Sequence, residues 1–529
     1  GTITNQVKNQ GTITSFDNKG NLSGGFVNDT GATLSKFSNA SNLGTLENKG
    51  NLATLTNTGT LNSASNTGTI ANLDNTKNIG TFSNASGGTI TNKVTNKGTI
   101  TSFDNKGILS GGFVNDNNAT LTKFSNASNL GTLTNKGTLT NITNTGTIAS
   151  LDNTKNLGTF TNTGALTTLS NTGSAGSITN QGIITKQVTN QGTIANFSNA
   201  GTLSNGFINN ANATLTNFTN SGKAGSIANK GNLTNITNTG SIANLTNTKN
   251  LGTLSNDNSG TITSLTNTSN IGSLSNKGTL ANATNTGSIT SLTNTKNIGT
   301  FSNANGGTIT NQVTNKGTIT SFDNKGILSG GFVNDNNAIL TNFSNASNLG
   351  TLSNKGTLTN ITNTGSIANL TNTKNLGTFT NTGALTTLSN TGSAGSITNK
   401  GTITNQVKNQ GTIAHFDNQG NLNGGFVNDT GATLSKFSNT KNIGTFSNLG
   451  TITSQVKNQG TIGNFDNTGN LSGGFVNDNN ATLTNFSNTS NLGTFSNLGT
   501  ITNQVKNQGT IASFDNKGNL SGGFVNDTG

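Results

Sequence analysis

Apolar residues in this chain fall in pairs three apart, and each pair is followed two places later by Asn. Between Asn354 and Gly383 the pattern occurs three times: Leu358 and Ile361 before Asn363, Ile367 and Leu370 before Asn372, Leu376 and Phe379 before Asn381. The repeating phrase is close to T-[IL]-x-x-[apolar]-x-N-x-G and usually spans eight to eleven residues. Helix is a poor reading, because Gly, Asn, Thr and Ser are weak helix formers and a Gly in nearly every phrase would interrupt each helix. Thr, Ile, Val and Phe favour strands, and N-x-G marks a turn in which Gly or Asn is expected to take positive φ. Strands of three to five residues joined by tight turns at fixed intervals predict an all-β, elongated parallel β-solenoid.

The phrase also predicts what points inward. Ile361 and Asn363 are two apart on a strand and share a face. The spacing of three between Leu358 and Ile361 breaks strict alternation, so a bend lies between them. Stacked coils would place each Asn above an equivalent Asn, and hydrogen bonds along the axis would satisfy a buried amide that otherwise costs about 1–3 kcal/mol.

A larger block overlies the phrase. GTITNQVKNQGTITSFDNKGNLSGGFVNDTGATLSKFSN opens at Gly1 and returns almost unchanged from Gly401. Its seven copies start at Thr2, Thr89, Ile183, Thr308, Thr402, Thr451 and Thr500, with spacings of 87, 94, 125, 94, 49 and 49 residues. Such spacings suit one continuous solenoid over residues 1–529 whose length changes by whole phrases. Phe16, Phe26 and Phe37, repeated as Phe416, Phe426 and Phe437, are expected to form a second ladder in the widest part of the core. Two phrases per coil give about 19–20 residues, but a 49-residue copy holds five phrases, so a coil of about 24–25 fits equally well. At about 4.8 Å per coil the chain would span on the order of 100–130 Å.

Composition narrows the picture. Only 28% of the 529 residues are hydrophobic and 8% charged, and Pro, Cys, Met, Trp and Tyr are absent. A mixed globular core is therefore excluded, as are a disulfide framework and a thiolate metal site. Disorder fits badly, since the few apolar residues are strictly placed. The net charge of +12 rests on lysines alone, mostly in turn phrases such as Lys19, Lys49, Lys77, Lys355 and Lys374. Solvated turns account for them, and specific nucleic-acid readout lacks its usual Arg and aromatics. No stretch approaches the roughly 18 apolar residues of a membrane-spanning helix. There is no initiator Met, and both termini fall within repeating text, which suits a segment of a longer chain or a fibre.

The style of these repeats, GTITN from Gly1 and NKGTI at 96–100, resembles the passenger regions of bacterial autotransporters and of filamentous-haemagglutinin-type surface adhesins. That resemblance implies a right-handed parallel β-helix displayed outside the cell, at the bacterial surface, for attachment or cell–cell contact. It also implies partners of two kinds: a cell surface or extracellular matrix, and the protein itself through end-to-end stacking or lateral association. A self-assembling extracellular fibre subunit is the alternative reading.

Chemistry is sparse. The one histidine, His415, has Ser15, Asn196 and Asn464 as counterparts, so its position is expected to be outward and tolerant. Asp17, Asp29, Asp417 and Asp429 supply one carboxylate per turn, too few for calcium, and are expected to cap their own turns. Threonines flanking inward isoleucines, as in TIT at 2–4, 12–14 and 402–404, resemble an ice-binding array, but Ala414 and Gly463 interrupt it. The expectation is a structural protein that is not an enzyme, with no catalytic, cofactor-binding or metal residues and no cofactor.

Overall fold

The computed structural model describes residues 1–527. The chain divides into two compact units, Gly1–Ser264 and Leu265–Gly529. Each is a parallel β-solenoid, and no helix occurs among the described residues.

In the second unit successive strands alternate between two parallel sheets. Asn348–Asn354 pairs with Ser366–Asn372, which pairs with Ala384–Asn390. Ile339–Asn345, Thr357–Asn363 and Asn375–Asn381 form the facing sheet. In this register Leu352 lies beside Leu370 and Asn354 beside Asn372. Two phrases therefore close one coil, and the larger of the two circumferences is excluded. Coils of 18 residues carry the plain phrases, and the longer blocks stretch them to 21, as between Asn418 and Asn439.

Most strands are seven residues long, not three to five, because the bend does not end the ladder. Thr357, Leu358, Asn360 and Ile361 pair with Asn375, Leu376, Thr378 and Phe379, while Thr359 and Gly377 between them drop out of register. That one irregular position returns both Leu358 and Ile361 to the inside, where they are 0% and 1% exposed, with Asn363 at 0%. A thin core of Leu, Ile, Val, Phe and Asn is thereby filled from two sheets only.

The asparagines form continuous hydrogen-bonded rows. The Asn354 Nδ2 donates to Asn372 Oδ1 at 2.7 Å, and the Asn372 Nδ2 donates to Asn390 Oδ1 at 2.7 Å. Each amide also reaches backbone carbonyls, as Asn372 does to Ser393 at 3.1 Å. The first unit repeats this, for example from Asn126 through Asn144 and Asn162 to Asn180. No buried side-chain nitrogen or oxygen among the described residues lacks a hydrogen-bond partner. A net gain of about 1 kcal/mol per bond makes each row a large, distributed stabilisation, and a single gap in it costly.

Two further expectations are corrected. The glycine of N-x-G does not take positive φ in the short turns; it is required by stacking. A Cβ on Gly383 would lie 2.0 Å from the carbonyl oxygen of Gly365 in the neighbouring coil, and one on Gly365 would lie 2.3 Å from that of Ser347. Among the described residues positive φ is confined to wider turns and loops, at Gly425 (87°), Gly431 (80°) and Asn480 (65°) and their counterparts. The phenylalanines do not form one column either. Phe416 and Phe437 stack at 5.5 Å, whereas Phe426 reaches between them from the facing sheet at 4.9 and 5.1 Å, edge-on. Phe16, Phe26 and Phe37 repeat the arrangement in the first unit.

In each block the regular strand is split. Thr402–Ile403 and Val407–Asn409 flank a loop at 404–406, and Asn421–Leu422 and Phe426–Asn428 flank another at 423–425 in the next coil of the same sheet. The block starting at Thr402 continues the sheet of Ala384–Asn390, the one at Thr451 lies in the facing sheet, and Thr500 returns to the first. These successive copies thus emerge on opposite faces, two and a half coils apart.

Candidate interaction surface

Most apolar positions and the Asn rows are consumed by the core, with a few isoleucines such as Ile108, Ile327 and Ile339 left exposed at strand starts. Candidate function therefore falls to the outward positions of the strands, the turns, and the paired loops of each block. Turns one coil apart stack, and this brings together residues about twenty apart in sequence.

The most built-up outward cluster joins Lys408, Gln410 and Asp429. The Asp429 Oδ2 accepts from Lys408 Nζ at 3.2 Å and from Gln410 Nε2 at 3.0 Å, while its Oδ1 accepts from the backbone N–H of Thr430 at 2.9 Å. That N–H, then Gln410 and Lys408, hold the Asp429 carboxyl below the usual carboxylate range. Lys457, Gln459 and Asp478 form the same cluster, at 3.0 Å for both side-chain contacts, and Asp478 is likewise lowered, first by Lys457. In the first unit Lys8 lies 2.8 Å from Asp29 and Gln10 donates to it at 3.3 Å. Lys8 is the leading cause, followed by the Thr30 N–H and Gln10, of an Asp29 pKa lowered to about 2. In the second, third and fourth blocks Thr95, Thr189 and Thr314 stand where this lysine would be, and Asn210 replaces the aspartate in the third.

This cluster clamps one turn to the next coil. As expected, Asp429 binds its own turn through Thr430. Asp417 lies on the facing sheet and accepts from Gln419 Nε2 at 2.6 Å. Asp17 and Asp29 are likewise on opposite sheets and do not converge. Among the described residues no three His, Cys, Asp or Glu side chains gather where a metal ion could be held.

His415 is outward and exposed, in register between Ser396 and Lys436 on neighbouring coils. The threonines of the TIT phrases are outward or edge positions, and beside them Asn196, Asn217 and Asn235 form a short external amide ladder at 2.8 and 2.9 Å. Surface cavities are shallow; one of about 450 Å³ lies over the stacked turns Gly201, Gly222 and Gly240. Sequence reading missed the Lys–Gln–Asp cluster. Lys408 and Asp429 lie in different phrases, and their contact becomes legible only when coil length is known.

Fold and surface together define a polar parallel β-solenoid with an Asn-laddered core. No protein-family model, curated protein or solved structure matches the chain.

Proposed function

We propose that the chain is the structural shaft of an extracellular bacterial adhesin, of the autotransporter or filamentous-haemagglutinin type, and acts without chemistry. The observation that carries this reading is the use made of its residues. Apolar and Asn positions alike are spent on a coil that repeats with little variation, and what varies is the number of coils between near-identical blocks. A chain organised in this way gains reach by adding units, each dependent only on its neighbours. The outward residues are Thr, Ser, Asn and Lys, which tolerate exchange between copies, as at Ser15, Asn196 and His415. The repeat style supports surface display and attachment to a cell surface or matrix.

Electron microscopy of the producing cells, with antibody against the repeats, tests the reading. Discrete surface projections labelled along their length are expected. Label confined to the cell interior would overturn it, and free polymers with an axial subunit repeat would replace the shaft with a fibre.

A further inference from the structure

Lysines that are scattered in sequence fall into one column in the second unit. Lys296, Lys316, Lys355 and Lys374 occupy turns that directly follow Asn294, Asn315, Asn354 and Asn372. These asparagines belong to a single row, bonded Asn294 to Asn315 to Asn334 to Asn354 to Asn372. Four of five consecutive turns on this edge therefore carry a lysine, and Lys277 heads the same column one coil earlier. All four side chains are exposed, and none has an ion-pair partner among the described residues. The fifth turn carries Asp335, whose Oδ1 accepts from the Asn336 N–H at 2.9 Å, and beside it Ile339 is 44% exposed.

We infer that this edge binds a linear anionic polysaccharide laid parallel to the coil axis. Coils rise about 4.8 Å, so the lysines present positive charge at steps close to the length of one sugar residue in an extended chain. A polymer bearing carboxylate or sulfate along its length matches that spacing over several coils, and many weak exposed contacts then add up in one ligand. Exposed Thr295, Thr373, Asn297 and Asn375 flank the lysines with hydroxyl and amide groups suited to sugar hydroxyls, and Ile339 offers an apolar contact for a sugar face. Single-stranded nucleic acid is the less suited polyanion, since no Arg or exposed aromatic accompanies the lysines to stack on bases. The corresponding lysines of the first unit, Lys77, Lys97, Lys136 and Lys155, share their edge with Asp74, Asp116 and Asp152, which leaves it closer to neutral. The inference deepens the adhesin reading by naming a ligand class, and its test uses purified protein, so it fails or holds independently of surface display.

The full chain is measured against immobilised polygalacturonate, dextran sulfate and uncharged dextran over a range of salt. The edge variant carries Lys296→Gln, Lys316→Gln, Lys355→Gln and Lys374→Gln. A control of equal charge change carries Lys19→Gln, Lys186→Gln, Lys436→Gln and Lys441→Gln. The parent chain is expected to bind one or both anionic polymers, salt-sensitively, and not dextran. The edge variant should lose at least tenfold in affinity and the control less than threefold, with unchanged circular dichroism in both. The preferred anionic polymer tells carboxylate from sulfate. Equal losses in the two variants, no binding by the parent chain, or tighter binding to a single-stranded oligonucleotide would overturn the inference.

Discussion

Replacing Asn372 by Asp puts the Asn row under direct strain. Asn372 is 0% exposed, and its Oδ1 accepts from Asn354 Nδ2 at 2.7 Å. Its Nδ2 faces three oxygens: Asn390 Oδ1 at 2.7 Å, Ser393 O at 3.1 Å and Lys374 O at 3.2 Å. Asn372→Asp leaves the first bond intact and turns the donor into an oxygen pointing at those three acceptors. As the neutral acid it keeps one O–H donor for one of the three, so one donated bond is lost from a buried site, at about 1–3 kcal/mol. Ionisation removes that O–H and buries a charge that keeps the Asn354 amide as donor on one oxygen but faces acceptors on the other. The new carboxyl is therefore expected to remain protonated, with its pKa well above the usual carboxylate range. A raised folded pKa means that the folded state holds the proton more tightly than the unfolded one. The penalty is therefore smallest below about pH 4 and grows by roughly 1.4 kcal/mol per pH unit above it until the folded pKa is reached. At pH 7 the loss should be about 4 kcal/mol or more. Thr371→Asp, one residue earlier on the outer face, should stay within about 0.5 kcal/mol. Denaturant unfolding of both variants at pH 4 and pH 7 measures these terms. Equal effects at the two positions, or a penalty at Asn372 that does not grow with pH, would refute the inward Asn row.

Three other outcomes follow from the same geometry. Gly383→Ala should destabilise by about 1–3 kcal/mol, as overpacking does, because its Cβ meets the Gly365 carbonyl at 2.0 Å; Gly11→Ala, with nothing within 4 Å, should be near neutral in the same thermal melt. The carboxyls of Asp29, Asp429 and Asp478 have folded pKa values below their unfolded ones, so what their clusters contribute is fully present above about pH 4. It is lost as pH falls through the lowered values, near 2 for Asp29, and carboxyl titration by NMR should show Lys8→Gln raising that midpoint. Deleting residues 402–450 joins Gly401 to Thr451 and should leave a folded chain shorter by about 12 Å, since two and a half coils are removed at about 4.8 Å each; solution scattering reads the change, and global unfolding would contradict neighbour-only coupling.

Much of the coil could be read from one phrase. Leu358, Ile361 and Asn363 declare the inward face, and the bend between the first two follows from their spacing alone. Features that depend on the neighbouring coil were not legible. Gly383 and Gly365 look like turn glycines chosen for φ, and only the stacked carbonyl shows that they are chosen for lack of a Cβ. Phe416, Phe426 and Phe437 look like one ladder because spacings of 10 and 11 do not say which sheet each belongs to. Coil length was ambiguous for the same reason, since a copy of five phrases is compatible with an even or a half-integral number of coils. The Lys408–Asp429 clamp and the lysine edge share that cause: separations of 18 to 21 residues mean nothing until the ladder supplies the register.

The coil of two phrases underlies every contact described, and pairwise distances between spin labels at Gln406, Gln455 and Gln504 test it most directly. These residues occupy equivalent loops in three successive copies of the block. With two and a half coils per copy, Gln406 and Gln504 share a face five coils apart, about 24 Å along the axis, whereas Gln455 emerges from the opposite sheet. The Gln406–Gln455 distance should then exceed its axial share of about 12 Å by the thickness of the two sheets, about 10 Å, and the outward reach of both labels. A Gln406–Gln455 distance of about 10 Å, the rise of two coils, with Gln504 twice as far along the same face, would mean two coils per copy and would contradict the account.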